Sequence, residues 1–375
     1  VIKYIGSKRT LIPVIHDVVG SAAAALSDST ATVIDLFSGT SRVGHALKRA
    51  GYRVLANDHN AYASTLARCY VQADAERVLG DARSLIEEFN ARIRGGWEAP
   101  GYFTETFCVK SRFFQPKNGA RVDAIREAIA AMGLEPELEA VVLVSLMEAA
   151  DRVDSTTGVQ MAYLKSWSPR SFNDLELRVP EVLARPSAGA CLAFEMDALE
   201  AARALEGDIA YVDPPYNQHA YNGNYHVWES LVRWDKPEVY GVACKRVDVR
   251  ERRSVFNSRP RFRAAVGELL GAIRVPVIVA SFSDEGYMSR EEMQEMLAGL
   301  RGGETRVLTI ATDFPRYVGA RIGIYNPRGE RVGRVGRLRN TEYVFVAAAP
   351  EVIHRIERSR SMADHRSRGF VAAAG

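Results

Sequence analysis

The chain has 375 residues, 47% apolar and 25% charged, a globular balance that excludes wholesale disorder and leaves room for one large domain or two to three ordinary ones. Forty-nine Lys and Arg against 46 Asp and Glu give a net charge of +3, too small to announce a nucleic-acid or membrane partner by itself. The longest apolar runs, Val141–Leu146 and Val275–Ala280, fall far short of a membrane span, and no charged-then-apolar signal segment opens the chain.

In chain order, a polar, basic opening around Gly6 leads into an apolar periodic stretch, Leu11–Leu26. Thr32–Phe37 then reads as a buried strand, closed by Ser38-Gly39-Thr40 and followed by a helix near Val43–Ala50. A second strand, Arg53–Asn57, ends at Asp58, and Ala61–Val71 reads as helix. Strand, glycine turn, helix, strand and acidic residue open a doubly wound α/β sheet. From about Glu87 to Gly189 the rhythm breaks into aromatic-rich loops and helices near Val122–Ala131 and Glu137–Arg152, an inserted and mainly helical region. The βα pattern resumes with strand Cys191–Glu195, helix Ala198–Leu205 and strand Asp208–Val212. After a basic stretch come helix Phe262–Ile273, strand Val275–Phe282, a Ser289-x-x-Glu292 capping box, strand Arg306–Ala311, a turn at Asn326–Gly329 and strand Thr341–Ala348. This predicts an α/β domain of residues 1–86 and 190–350, an insert of residues 87–189, and a basic C-terminal tail of residues 351–375 with a frayed end.

The four cysteines (Cys69, Cys108, Cys191 and Cys244) and the seven histidines are dispersed. Their spacing suits neither a disulfide framework nor a metal site, so reduced buried thiols, no metal and a reducing cytoplasm are expected.

The sharpest chemical signal is Asp213-Pro214-Pro215-Tyr216, directly after an apolar strand. Ligands of open α/β sheets sit at strand carboxyl ends. Two prolines fix φ and withhold two amide donors, so carbonyls can face a ligand as acceptors. A carboxylate, a proline carbonyl and a tyrosine face together suit an amino group on an aromatic ring. Taken alone, the same four residues equally describe a Pro-Pro turn capping a strand, with Asp213 solvated. Asp35-Leu36-Phe37-Ser38-Gly39-Thr40, with Asp58 at the next strand end, suits a nucleoside cofactor whose ribose hydroxyls need an acceptor, or an ordinary βα turn. It is neither GxGxxG nor a P-loop, which disfavours nicotinamide, flavin and phosphate-cradling readings. Asp197, ahead of a helix, is either an N-cap or an acceptor for an adenine amino group.

These three signals, in this order, resemble the DNA adenine-N6 methyltransferases whose motifs run cofactor site, target-recognition insert, then catalytic Asp-Pro-Pro-Tyr. The resemblance extends to Lys3–Arg9, Ser111–Phe114, Asn118-Gly119, Asp123–Arg126, Ala150-Asp151, Thr156–Val159 and Tyr163–Trp167. It continues through Asn217, Tyr221, Asn224-Tyr225-His226, Glu229, Ser254–Arg259, Ser281–Gly286 and Asn340–Tyr343. One departure stands out: Ser41 occupies the place where the family's first motif commonly has a second glycine. The resemblance implies a Rossmann-like doubly wound methyltransferase sheet and S-adenosylmethionine as cofactor. It places the cofactor around Tyr4, Lys8, Asp35, Phe37, Ser38, Gly39, Thr40, Asp58, Asp197 and Asp213. It assigns catalysis to Asp213, Pro214, Pro215 and Tyr216 acting on a flipped-out adenine. The implied partner is double-stranded DNA, with a cognate restriction endonuclease encoded nearby in some systems, and the implied protein is a monomer or weak dimer of the bacterial or archaeal cytoplasm and nucleoid.

Local charge suggests how DNA would be held. Lys245, Arg246, Arg250, Arg252, Arg253, Arg259, Arg261 and Arg263 face only Asp248 and Glu251 in sequence, and seven arginines lie between Arg316 and Arg339 against Glu330. Such clusters neutralise phosphates, or else form a solvated charged face. Within the insert, Lys110, Arg112, Gln115, Lys117, Asn118, Gln160 and Lys165 are candidates for meeting base edges, with Asn217 and Tyr221 just after the catalytic motif. Phe103, Phe107, Phe113 and Phe114 read as core rather than base wedges. An RNA adenine methyltransferase, a catalytically silent DNA- or cofactor-binding relative, and a protein-amide methyltransferase are the competing readings. The last more often has Asn at the Asp213 position.

Overall fold

The computed structural model describes residues 2–6, 8–26, 31–217, 220–315, 324–325, 331–333 and 339–372. Short apolar strands alternate with helices in the first half of the sheet, and longer antiparallel strands close its far edge. The strands are β1 (Thr32–Asp35), β2 (Arg53–Asn57), β3 (Leu192–Phe194), β4 (Ile209–Val212), β5 (Val239–Tyr240), β6 (Lys245–Arg246), β7 (Val277–Ser283), β8 (Arg306–Pro315), β9 (Ile324–Tyr325), β10 (Arg331–Gly333) and β11 (Arg339–Ala348). Seven of them form one sheet in the order β3-β2-β1-β4-β7-β11-β8. β1 pairs in parallel with β2, β2 with β3, and β4 with β7, while β11 runs antiparallel to both β7 and β8. This is the expected Rossmann-like α/β architecture, mostly parallel with an antiparallel edge. Parallel strands buried on both faces read as continuous apolar runs, which is why β4 and β7 stand out in the sequence.

The chain divides into two compact units. The first comprises Val1–His16, Ser29–Gly207 and His219–Ser254, and the second Asp17–Asp28, Asp208–Gln218 and Val255–Gly375. The longer helices are α1 (Ile12–Ala25), α2 (Arg42–Arg49), α3 (Ala61–Ala67), α4 (Ala75–Arg94), α5 (Pro116–Met132), α6 (Pro136–Arg152), α7 (Ala198–Ala204), α8 (His226–Arg233), α9 (Arg259–Ala272), α10 (Arg290–Ala298) and α11 (Pro350–Ala372). Both α5 and α6 begin with proline, whose missing amide costs nothing at a first helical position. α10 carries the expected capping box: the Glu292 amide donates to Ser289 Oγ at 3.1 Å and the Ser289 amide to Glu292 Oε2 at 2.8 Å.

The first unit has one continuous core. Tyr62 and Leu66 of α3 and Tyr225 and Trp228 around α8 pack with Phe89, Phe103, Phe107, Phe113, Phe114, Ile125 and Met147. Residues 87–189 therefore share this core rather than building a second one, and position 86/87 lies inside α4. α4 has no counterpart in the sequence reading, although Val78, Ala82, Ile86, Phe89 and Ile93 line its buried face at helical spacing. Each buried aromatic or aliphatic side chain contributes about 1.5–3 kcal/mol, which accounts for the aromatics of the insert turning inward. Within the expected tail, helix α11 runs as far as Ala372, with Val352, Ile353 and Ile356 buried along one face. All four cysteines are buried and free. Among the described residues, no helix is long and apolar enough to cross a membrane. Most arginines of the Arg316–Arg339 cluster, and the Asn326–Gly329 turn, lie outside the described residues.

Several motif residues serve this architecture. The Asp123 carboxylate, buried, accepts from the amides of Gly101, Phe103 and Thr104 at 2.9, 2.8 and 2.8 Å and from Thr104 Oγ1 at 2.6 Å. One carboxylate thus satisfies the amides that start a helical turn three residues before Phe107. Arg126 donates to the Leu231 and Val232 carbonyls at 2.8 and 3.0 Å, closing the end of α8. Replacing Asp123 with Ala leaves two buried amides unpaired, and an urea or thermal unfolding curve is expected to show a loss of about 3 kcal/mol or more. A change under about 0.5 kcal/mol would mean that solvent or another group satisfies them.

Candidate active site

Two sets of site residues are described, one in each unit. In the first unit, β1 ends at buried Asp35 and the chain turns through Leu36–Ser41 toward α2. The Ser38 amide donates to the Asn57 carbonyl at 2.8 Å, and the Ser41 amide to the Ser38 carbonyl at 2.7 Å. Gly39 sits at φ 51 and its amide donates to Asp58 Oδ2 at 3.0 Å. Ser41 also lies at positive φ, 58°, with its hydroxyl 2.9 Å from that of Ser38. The site where a second glycine is common thus keeps the left-handed backbone that glycine favours, and the Ser38–Ser41 hydrogen bond offsets part of the strain.

Asp58 Oδ1 accepts from both the amide and the side-chain nitrogen of Asn60, each at 3.0 Å. With Gly39 on the other oxygen, three of the carboxylate's four acceptor positions are filled by the protein and its orientation is fixed. Asn57, buried and not singled out by the sequence, bonds the Leu36 carbonyl and both the amide and the carbonyl of Met196. It thereby ties together the segments that follow β1 and β3. Its only sequence signal is a polar residue ending an apolar strand.

Tyr4 packs near-parallel to Tyr225 and Tyr221, with ring centroids 4.6 and 5.1 Å away. Its hydroxyl lies 3.2 Å from that of Tyr62. Burial, reinforced by Tyr62, Tyr221 and Asp58, holds the Tyr4 phenol well above its usual range. A Cβ on Gly39 would meet the Tyr4 ring at 3.5 Å, so Tyr4 lies directly over the loop. Lys8 is buried and Phe37 half-buried. Thr40 and Ser41 also line an open cleft of about 840 Å³ with His16, Arg42, His45 and Arg152. Asp197 is exposed and caps α7, accepting from the Leu199 amide at 2.8 Å, which is its structural reading.

In the second unit, Asp213 follows the last residue of β4, and Asp213 Oδ1 accepts from Ser281 Oγ of β7 at 2.9 Å. Pro214 is buried, and Pro215 and Tyr216 half-buried. The Tyr216 ring meets Phe282 edge-on, centroids 5.2 Å apart, and its carbonyl accepts from the Tyr287 amide at 3.1 Å. The Asn217 carbonyl accepts from Asn257 Nδ2 at 2.8 Å. Phe282 is fully buried, and a Cβ on Gly286 would overlap its ring. The short motif is therefore braced by three segments distant in sequence.

The basic candidates divide. Lys110, Lys165, Arg250, Arg253 and Arg259 are exposed, and Lys245 and Tyr221 half-buried. Arg112 lies over the Trp167 ring at 4.8 Å, and Arg250 over Tyr240 at 3.9 Å. Two expected phosphate contacts have partners within the protein. Arg246 is buried, pairing with Asp235 at 2.7 Å and Asp248 at 3.0 Å. Arg252 donates to Glu229 and to the His59 carbonyl, both at 2.9 Å. Two expected base readers are likewise engaged by the protein. Asn118 is buried between the Asn173 carbonyl and the Leu175 amide, and Gln160 accepts from the Val227 amide. Gln115 is half-buried, and exposed Lys117 pairs with Asp174.

Glu229 is buried and accepts from Arg233, Arg252 and the Tyr62 amide at 2.7, 2.9 and 3.1 Å. Burial alone would raise its pKa, but these donors outweigh it and hold the carboxyl below the ordinary Glu value of 4.5. Among the described residues, no group of three or more His, Cys, Asp or Glu could hold a metal.

The family model described as D12 class N6 adenine-specific DNA methyltransferase matches residues 4–296. The chain is 28% identical over 305 residues to the modification methylase StsI of Streptococcus sanguinis, a match covering 79% of this chain and 46% of that protein. It is 28% identical over 307 residues to the Type II methyltransferase M.FokI of Planomicrobium okeanokoites, with the same two coverages. To the Type II methyltransferase M.NlaIII of Neisseria lactamica it is 28% identical over 305 residues, covering 78% of this chain and 86% of the relative. The chain thus spans about half the length of the first two relatives.

Two outcomes follow from this geometry. Ser41→Gly relieves about 1–2 kcal/mol of left-handed strain but gives up a hydrogen bond worth about 1 kcal/mol and adds chain entropy of about 0.5–1 kcal/mol. Ser41→Ala keeps the strain and loses the bond. Thermal unfolding should therefore rank Gly level with Ser and Ala lowest, whereas Ala level with Ser would disprove the bond's contribution. Glu229, with its folded pKa depressed, contributes stability above pH 4.5 that is lost as pH falls through its folded value. The stability gap between the native chain and Glu229→Gln should accordingly narrow on acidification below pH 4.5, and a gap independent of pH there would refute the assignment.

Proposed function

Since the chain belongs to the D12 class N6 adenine-specific DNA methyltransferase family, we propose that it methylates the N6 amino group of an adenine flipped out of duplex DNA. It does so at a defined sequence and from S-adenosylmethionine. The carrying observation is the braced Asp213-Pro214-Pro215-Tyr216 segment at the carboxyl end of β4, with Asp213 held by Ser281 and Tyr216 by Phe282.

The first-unit loop fits the cofactor's nucleoside. Gly39 turns without a side chain beside the Tyr4 ring, and Asp58 is preoriented with one acceptor position left. Tyr4, Lys8, Asp35, Phe37, Ser38, Gly39, Thr40 and Asp58 would hold it. When bound, it supplies a methyl group activated on a sulfonium. Extruding the target adenine costs on the order of a few kcal/mol, recovered by stacking and hydrogen bonding in the pocket. Tyr216 stacks on the base, while Asp213 and the Pro214 carbonyl accept the two amino hydrogens. Those acceptors draw the nitrogen toward tetrahedral geometry and free its lone pair. Positioning and electrostatic preorganisation do most of the catalysis, and Asp213 need not be a strong base.

Exposed Arg250, Arg253 and Arg259 contact phosphates, which positions the duplex without reading it. Residues 87–189 read the sequence through exposed side chains, including Lys110 and Lys165, on a scaffold that shares the first-unit core. The names of the relatives, a modification methylase and Type II methyltransferases, support a modification role; a cognate restriction endonuclease, a cytoplasmic setting and a monomeric or weakly dimeric state extend that reading from the family resemblance. The family description concerns DNA, which does not favour the RNA or silent readings.

Methyl transfer from labelled cofactor to duplex DNA tests this. Asp213→Ala should lower turnover by about 100-fold or more while unfolding at the native temperature. Tyr216→Ala should lower turnover with calorimetric cofactor affinity unchanged. Near-native turnover of folded Asp213→Ala would overturn the assignment.

A further inference from the structure

We infer that Tyr211 and Ser281 form a positioning relay that aims the Asp213 carboxylate, so that a residue buried in the sheet controls turnover without touching the substrate. The inference rests on the function proposed above.

Tyr211 and Asp213 are two residues apart on and just beyond β4, so their side chains project to the same side. β4 pairs with β7 with Tyr211 opposite Val279 and Val212 opposite Ala280. One further step in that register sets Ser281 beside Asp213. Ser281 Oγ lies 2.9 Å from Tyr211 Oη and donates to Asp213 Oδ1 at 2.9 Å. Tyr211 and Ser281 are each 1% exposed.

A serine hydroxyl has one proton, and an ionised carboxylate can only accept. The Ser281 proton therefore goes to Asp213, and the Tyr211 hydroxyl must donate to Ser281. The order Tyr211 to Ser281 to Asp213 is fixed by proton counting. Ser281 restrains the carboxylate at Oδ1, and its loss widens the range of the terminal torsion, a broad well for Asp. An acceptor misplaced by a fraction of an ångström meets an amino hydrogen poorly, and misplacement near 1 Å costs about 100-fold in rate. Tyr211 reaches Asp213 through Ser281 and holds the serine proton in the productive direction.

The experiment is a double-mutant cycle on the full chain. It measures steady-state methyl transfer to duplex DNA, calorimetric cofactor affinity and thermal unfolding. Ser281→Ala should lower kcat by about 10- to 100-fold with KM for S-adenosylmethionine within about twofold. Tyr211→Phe should lower kcat by a smaller factor. Since Tyr211 acts through Ser281, the double variant should be no slower than Ser281→Ala alone. Ser281→Thr, which keeps the hydroxyl, should recover most of the lost kcat. Multiplying effects in the double variant, or losses of kcat that track a fall in unfolding temperature across all variants, would reduce both residues to packing and overturn the relay. Native kcat for folded Ser281→Ala would overturn it while leaving the methyltransferase reading intact. A native chain that transfers no methyl group to adenine in DNA would remove both.

Discussion

The carboxylate proposed to hold the amino group of a base in one orientation, Asp213, cannot ride on a free loop. In this protein its placement follows from the parallel pairing of β4 with β7. That register carries Asp213 to the side of Ser281, and the same strand supplies Phe282 beneath Tyr216. Two prolines between Asp213 and Tyr216 remove the backbone freedom that would otherwise decouple them. β11, paired along the other edge of β7, completes the support. Slipping β7 by one residue would turn Ser281 to the opposite face and dissolve the arrangement.

The first-unit loop follows the same logic with different chemistry. Two consecutive turns at positive φ, Gly39 and Ser41, would be mobile if unsupported. They are closed instead by the Asp58 carboxylate and by the Ser38–Ser41 hydroxyl pair. Asp58 is thus a structural ligand of its own loop before it is an acceptor for anything else. Preorganisation of this kind is purchased with local strain. It makes the loop's hydrogen bonds worth more than their number suggests, since each also suppresses an alternative backbone.

Much of this was legible in the sequence because it is local. Apolar runs ended by Asp or Gly marked β1, β2, β4 and β7, and the Ser289–Glu292 spacing marked the start of α10. The roles of Asn118 and Gln160 were not legible. Whether an amide side chain meets a base edge or a distant backbone is decided by partners 55 to 67 residues away, such as Asn173 and Val227. Arginines mislead for a related reason. Runs of positive charge in sequence need not persist in space, and Arg246 and Arg252 turn inward to Asp235 and Glu229. α4 carried a plain helical pattern that the aromatic segment after it obscured. The Ser281–Asp213 bond spans 68 residues, beyond any local signal.

The account is tested most directly by incubating unmethylated plasmid DNA with the folded chain and S-adenosylmethionine, then sequencing single molecules for modified bases. It predicts N6-methyladenine confined to one recurring sequence context. Unmodified adenine in every context, from a chain shown by calorimetry to bind the cofactor, would contradict it.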